Sequence, residues 1–401
     1  MVEIIGVLLG LLILVGIAAY LLIEWQYRRR PGNDLALAAT NWTLETHEPD
    51  HYAISLDTVF TNRTRTLEIF IPEVNVEYEL LSNSSLEGIT VKTELIPQHE
   101  DFPARPDGYW FAYIVKVGKA TQAQLKVDIT GPDLTRLKSL WLKVHYITYG
   151  PEGRIPKTGH FIVPLKFPQP EAATHWRENS VAHILPVPTH LLTPLDSTVD
   201  IVKHYVKPCA KPGDIVTIGE TPVAVMQGRL RHPDTVKPGW LAKRLCYYFM
   251  PTSSLATACG MQTLIDVSGP WQVASAFLLG AIAKIGGKPG MFYQLAGEQA
   301  RLIDDVTGTL PPFDQFIVLG PEHSQQLVDQ IYQETGLKAA IVDVNDLKAV
   351  KILAATANTD LPLLTQALID NPAGNADEQT PVVLIRPKPQ PGSHKSQPSN
   401  A

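Results

Sequence analysis

The chain has 401 residues, enough for two or three domains, with 45% hydrophobic and 18% charged residues, which excludes a disordered or fibrous protein. A formal net charge of −6, with no basic stripe beyond one short cluster, argues against a nucleic-acid binder. Three scattered cysteines, Cys209, Cys246 and Cys259, are too few for a disulfide framework or a zinc knuckle and fit free thiols in a reducing compartment.

In chain order, the first element is an uncharged run from Ile4 to Ile23, long enough to cross a hydrocarbon core. Trp25 and Tyr27 follow at the expected interface, then Arg28, Arg29 and Arg30. Only Glu3 precedes the run. The positive flank predicts a single-pass anchor with its N-terminus outside and the body cytoplasmic. A cleaved signal peptide would carry its basic residues before the apolar run. In that topology the sequons at Asn41, Asn62 and Asn83 are chance matches.

From Asp34 to Pro168 the pattern has period two. Val74, Val76, Tyr78 and Leu80 alternate with acidic and polar residues, as do Leu125, Val127 and Ile129 with Lys126 and Asp128. Similar runs lie at His51–Phe60, Gly88–Leu95, Trp110–Val117, Ser139–Ile147 and His160–Phe167. Alternation predicts strands with one buried face. About seven of them, punctuated by turn residues, predict an all-β sandwich-like domain over 34–168. It shows no catalytic constellation. His51, His145 and His160 sit in strand patterns as structural or surface groups, and the domain would hold a protein partner or act as a spacer.

The stretch 169–185 reads as a linker. Beyond it, over 186–387, short apolar strands alternate with helices, so the chain as a whole reads as α+β with a mixed α/β C-terminal domain. Asp214–Ile218, Val223–Met226, Gln315–Leu319, Ala339–Val344, Val350–Ala354 and Pro381–Ile385 read as strands. Trp271–Ile285 reads as a helix capped by Ser268 and stopped by Gly286-Gly287, and Ser324–Thr335 as a helix ended by Gly336. The tail 388–401 is Pro, Ser, Gln and Lys and is predicted to be disordered.

Several stretches of this domain are similar to one family. Pro194-Leu195-Asp196 with the helical run to Val206, then Lys211-Pro212-Gly213-Asp214-Ile215-Val216 and Gln227-Gly228-Arg229, resemble the opening of coenzyme F420-0:L-glutamate (gamma-glutamyl) ligase. Leu264-Ile265-Asp266-Val267-Ser268-Gly269 and Ile303-Asp304-Asp305-Val306-Thr307-Gly308 resemble its two aspartate motifs, at a spacing close to the family's. Ala340–Leu347 and Asn371-Pro372-Ala373-Gly374-Asn375 resemble a wider ligase-like branch. The resemblance covers about half the chain.

It implies amide-bond formation between glutamate and a phosphorylated acceptor, driven by GTP and a divalent metal, manganese or magnesium, in a homodimer. In such chemistry the nucleotide phosphorylates a carboxylate and an amine displaces the phosphate, so carboxylate-bound hard cations must bridge phosphate oxygens. By motif, Asp266 and Asp305 on separate loops are the implied metal ligands, with Asp304 as substitute, and Gly228 and Arg229 lie at the implied nucleotide site. The bland readings are a helix cap for Asp266, a turn for Asp305 and a surface ion pair for Arg229. Gly286–Gly290 lacks the spacing of a phosphate loop and reads as a turn. Glu298 and Arg301 lie close enough in sequence to Asp304 and Asp305 to line the same cleft. Two lysines of the family's nucleotide segment are absent, which leaves a second reading: a non-catalytic, membrane-tethered binding or scaffold protein with a degenerate ligase domain.

Overall fold

The computed structural model describes residues 2–29, 34–150, 153–170, 175–251, 253–305, 310–344, 348–374 and 378–389, without the side chains of 2, 3, 27–29, 304 and 305. The expected tail disorder and the motif residues 306–308, 345–347 and 375 therefore lie outside the described residues, apart from Lys388 and Pro389. Contacts divide the chain into two compact units. One comprises 1–78, 87–134 and 142–161; the other comprises 79–86, 135–141 and 162–401.

Helix α1 (Val2–Arg29) opens the chain. Within it Ile4–Gln26, 23 residues, is long and apolar enough to cross a membrane, a test that a signal sequence also passes.

Next come nine strands: β1 (Leu35–Glu48), β2 (His51–Asn62), β3 (Ile69–Ile71), β4 (Val74–Ser82), β5 (Thr90–Gln98), β6 (Tyr113–Val115), β7 (Ala120–Thr130), β8 (Leu137–Gly150) and β9 (Gly153–Pro164). They form an antiparallel sheet β1-β2-β7-β5 and a second sheet β4-β8-β3-β6, with β9 also on β8. The alternation in β7 places Ala123, Leu125, Val127 and Ile129 in the core and sends Gln122 and Asp128 to solvent. In the first unit Phe60 is fully buried between the rings of Tyr146, 5.3 Å away, and Trp110, 6.0 Å away. Burial pushes the Tyr146 phenol up to about 12. The sequence pattern anticipated neither β1, whose ladder is broken by two register shifts, nor the three-residue β3. Asn62 is buried, its amide donating to the carbonyls of Leu67 and Val115, so that sequon is closed in the fold whatever the topology.

The second unit is built on a mixed sheet. In chain order its elements are β10 (Arg177–Glu178), β11 (Ala182–Val187), α2 (Thr198–Ile201), β12 (Ile215–Gly219), α3 (Glu220–Met226), β13 (Leu230–Arg231), α4 (Trp240–Leu245), α5 (Ala258–Ser268), α6 (Pro270–Ile285), α7 (Met291–Leu295), α8 (Gln299–Leu302), β14 (Asp304–Asp305), β15 (Ile317–Val318), α9 (Ser324–Thr335), β16 (Lys338–Val344), β17 (Val350–Ala355), α10 (Leu361–Leu368) and β18 (Val382–Pro387). The six-stranded order is β10-β11-β18-β12-β16-β17, and only β12 and β16 run parallel. Successive residues of its central strands point to opposite cores. Val216, Ile218, Ile341 and Leu384 pack with Val202, Tyr205, Val328 and Ile331 on one face. Ile215, Ala340, Val383 and Ile385 pack with Leu364 and Leu368 of α10 on the other. Helices thus cover both faces of the sheet. A helical layer, α4 to α8, packs over the small sheet β13-β15-β14.

Four readings of the sequence are corrected. Val223–Met226 is helix, not strand: the β-branched residues are buried on α3, whose C-terminus is closed by Gly228 at φ +67° with the Gly228 and Arg229 amides donating to Val225 and Ala224. Ser268 ends α5 and caps nothing in α6; Gly269, at φ +89°, makes the turn between them. Asp266 lies on α5, not on a loop, because the apolar run before it continues as helix through Ser268. Residues 182–187, partly inside the expected linker, form β11 of the large sheet.

Candidate functional site

Asp266 comes first, as the leading metal-ligand candidate. Its Oδ2 accepts from Arg231 at 2.7 Å and its Oδ1 from the Gln262 amide at 2.7 Å, one turn earlier on α5. Arg231 and Asp305 are both register partners of Ile317, on opposite sides of β15. The fold therefore brings the backbones of both aspartate motifs to the small sheet and the helix over it. The side chains of Asp304 and Asp305 lie outside the described residues. Among the described residues no three His, Cys, Asp or Glu side chains gather, and both oxygens of Asp266 are engaged. Asp266 alone, engaged in this way, does not build a divalent-metal site.

Gly228 and Arg229 make a structural corner. The Arg229 Nε donates to the Gly320 carbonyl at 2.5 Å and its guanidinium pairs with Glu322, while Gln227 exchanges hydrogen bonds with the Glu322 backbone. Glu298 pairs with Lys351 at 3.5 Å. Gly286–Gly290 is the turn between α6 and α7.

The described residues place a different group of motif stretches together. A cavity of about 400 Å³, a common size for a small-molecule site, lies at the carboxyl ends of the parallel pair β12 and β16. Thr217, Val342 and Val383 form its floor, and 189–192, the β12–α3 junction at Gly219–Pro222, 371–374 and Pro381 form its walls. Two of the stretches that carry the family resemblance line it, Val342-Asp343-Val344 and Asn371–Gly374, and Asp196 of a third, Pro194-Leu195-Asp196, hydrogen-bonds His190 on its wall. Gly374 has to be glycine, since a Cβ would fall 2.7 Å from Glu378 and 2.8 Å from the Thr380 hydroxyl.

His190 was not singled out by sequence. It lies on the cavity wall with its ring buried, Nδ1 2.8 Å from the Tyr205 hydroxyl and Nε2 3.0 Å from Asp196 Oδ1. The carboxylate can only accept, which fixes the Nε2–H tautomer and leaves Nδ1 to accept from the phenol. Asp196 is held in turn by the Thr193 amide and hydroxyl, at 2.7 and 2.9 Å. Burial pushes the Tyr205 phenol above its usual range, which keeps it a donor. Glu220, Asp343 and Arg301 supply the other ionisable groups of the lining. Arg301, anticipated from its place near Asp304, is also on the rim of a shallower hollow formed by Ser253, Tyr293 and Ile303. Neither Asp266 nor Arg229 reaches the cavity.

The nine-stranded segment has a match among known families. Residues 36–167 match the family model of the F420-0:gamma-glutamyl ligase N-terminal Ig-like domain. The match agrees with the ligase resemblance read independently from the C-terminal half. Solved structures similar to the chain include the GAE domain of yeast GGA1, at 14% identity over 33% of this chain and 93% of that one with a TM-score of 0.19. The GAE domain of GGA2p from Saccharomyces cerevisiae is similar at 13% identity over 32% and 98%, TM-score 0.19. A FixG-related protein from Vibrio parahaemolyticus is similar at 10% over 33% and 95%, TM-score 0.17. No curated protein matches the chain.

Proposed function

We propose that the chain is a membrane-anchored, gamma-glutamyl-ligase-like protein whose cavity at the ends of β12 and β16 binds a phosphorylated, carboxylate-bearing ligand. One observation carries the reading: two stretches with ligase resemblance, far apart in sequence, line a single cavity, and a third is tied to its wall through the Asp196–His190 hydrogen bond. The Ig-like match at 36–167 supports it from the other half of the chain. In this reading Arg301 meets ligand phosphate or carboxylate as a charge-assisted donor. His190, with both ring nitrogens engaged by Tyr205 and Asp196, braces the cavity wall, and Glu220 and Asp343 take the amine. The N-terminal helix anchors the chain with the body on the cytoplasmic side, in keeping with Arg28–Arg30. GTP with manganese or magnesium is the driving pair the resemblance implies. A metal at Asp266 would compete with Arg231 for the carboxylate.

The test is calorimetric titration of the full chain in mild detergent with GTP or ATP, with and without manganese or magnesium. Wild type is set beside Arg301→Ala, Asp343→Asn and an Asp266→Ala/Asp305→Ala double variant. Saturable nucleotide binding weakened by the cavity variants is expected. A folded protein that binds no nucleotide at millimolar concentration refutes the nucleotide-dependent reading. The engaged state of Asp266 and the missing lysines favour the second reading in that event, a tethered scaffold whose Ig-like domain holds a protein partner.

A further inference from the structure

Helix α6 is apolar over most of its surface but covered on only one side. Val273, Ala276 and Gly280 face the core of the helical layer, and Gly280 lies so close to α7 that a Cβ would stand 3.0 Å from the Phe292 backbone nitrogen. The opposite stripe, at helical spacing, is Trp271, Leu278, Ile282 and Ile285, with Trp271 86% and Ile285 90% exposed. Neighbouring segments extend the same apolar surface. Tyr248 rests its ring on Phe277 of α6 at 5.3 Å, and Tyr247, Met250 and Trp240 of the preceding segment are all largely exposed. So many large apolar side chains left bare call for a cover.

Charge says which cover. Residues 236–297 hold five basic side chains, Lys237, Lys243, Arg244, Lys284 and Lys288, and one acidic, Asp266, although the chain as a whole is at −6. Asp266 is already neutralised by Arg231. All five basic residues are exposed, and among the described residues none makes an ion pair; Arg244 lies over the Trp240 ring at 5.0 Å. Exposed tryptophan and tyrosine, long aliphatic side chains and unpaired lysines make the composition of an interfacial lipid-binding surface. A second copy set face to face would oppose like charges. We infer that the exposed face of α6, with α4 and the Cys246–Met250 segment, lies on an anionic lipid surface. A chain confined to a bilayer by its N-terminal helix presents this face at high effective concentration, so a modest affinity suffices. The inference stands apart from the ligase reading, since none of these residues lines the cavity.

The experiment uses the full chain reconstituted in vesicles of brominated lipid, either wholly zwitterionic or one-third phosphatidylglycerol. Tryptophan emission of wild type is compared with that of Trp240→Phe/Trp271→Phe, so the difference reports those two side chains alone. In anionic vesicles the difference signal should be mostly quenched and blue-shifted. It should recover several-fold in zwitterionic lipid, in molar salt, and in Lys243→Glu/Lys284→Glu, which alters only exposed charge. An unquenched difference signal in anionic vesicles overturns the inference. So does a detergent-solubilised dimer that Leu278→Lys/Ile282→Lys converts to monomer, which would assign the face to a second copy.

Discussion

Replacing Arg386 by Met should unfold the second unit far more readily than its partial exposure suggests. Arg386 lies on β18 and Asp214 just ahead of β12, strands paired in register at Ile215 and Ile385. The Asp214 carboxylate is 2% exposed and takes three guanidinium contacts at 2.8, 3.0 and 3.3 Å. The same guanidinium donates to the Cys209 carbonyl at 3.2 Å and stacks over Trp176 at 4.3 Å. Its hydrogen bonds to Asp214 raise the arginine's own pKa further, so the guanidinium stays charged. Arg386→Met leaves Asp214 with the Lys211 amide, at 2.8 Å, as its remaining donor. An uncompensated buried charge costs about 3–5 kcal/mol, and for a unit of this size that lowers the midpoint by roughly 6–20 °C. Arg386→Met/Asp214→Asn removes both charges and should recover a large part of the loss. Thermal unfolding in mild detergent, read by pulse proteolysis of the second unit, measures both. A single variant within about 1 kcal/mol of wild type, or a double variant no better than the single, would refute an account in which the lone carboxylate is the source of the cost.

Three further outcomes are expected. His99 bonds Thr121 at 2.8 Å, stacks on Tyr113 at 4.0 Å, and has its pKa lowered from 6.5 by burial. Its contribution to stability is therefore full above pH 6.5 and lost as pH falls from 6.5 toward the lower folded value, so wild type should lose stability over that window relative to His99→Gln; parallel pH curves would contradict it. Gly280→Val forces a side chain against the α7 backbone and should cost about 1–3 kcal/mol, measured as a shift of the denaturant midpoint. Asn83 carries an exposed sequon, so with the body cytoplasmic it stays unmodified in microsomal insertion assays, and a glycan there would reverse the proposed topology.

Elements whose signal is local were legible in the sequence. The helix Ser324–Thr335 reads from its period and from Gly336, which adopts φ +76°; β7 reads from strict alternation; the apolar run of α1 reads from length. Val223–Met226 has strand-forming side chains, yet tertiary burial and the left-handed Gly228 make it helix. The cavity was harder still. Its lining runs from Thr189 to Val383 and comes mostly from strand ends and turns, which have no period to detect. His190 sat in a Pro- and Thr-rich stretch, and its only sequence clue was Asp196, six residues later, inside a recognised motif.

The distribution of charge in the second unit separates two questions that the sequence motifs had joined. Arg231 and Asp266 neutralise each other on the small sheet and its helix, and the Arg229–Glu322 pair closes a corner beside them. Glu220, Asp343 and Arg301 line a cavity that none of those four side chains enters. A substitution at Asp266 therefore frees a cation before it alters any ligand, and loss of function there would not by itself mark a metal ligand. Arg231→Ala distinguishes the cases. If the pair is structural, Arg231→Ala and Asp266→Ala should lower stability by similar amounts and leave nucleotide affinity unchanged. If Asp266 is a ligand held in reserve, Arg231→Ala should tighten metal-dependent nucleotide binding while Asp266→Ala abolishes it, since removing the competing guanidinium leaves the carboxylate free for the cation.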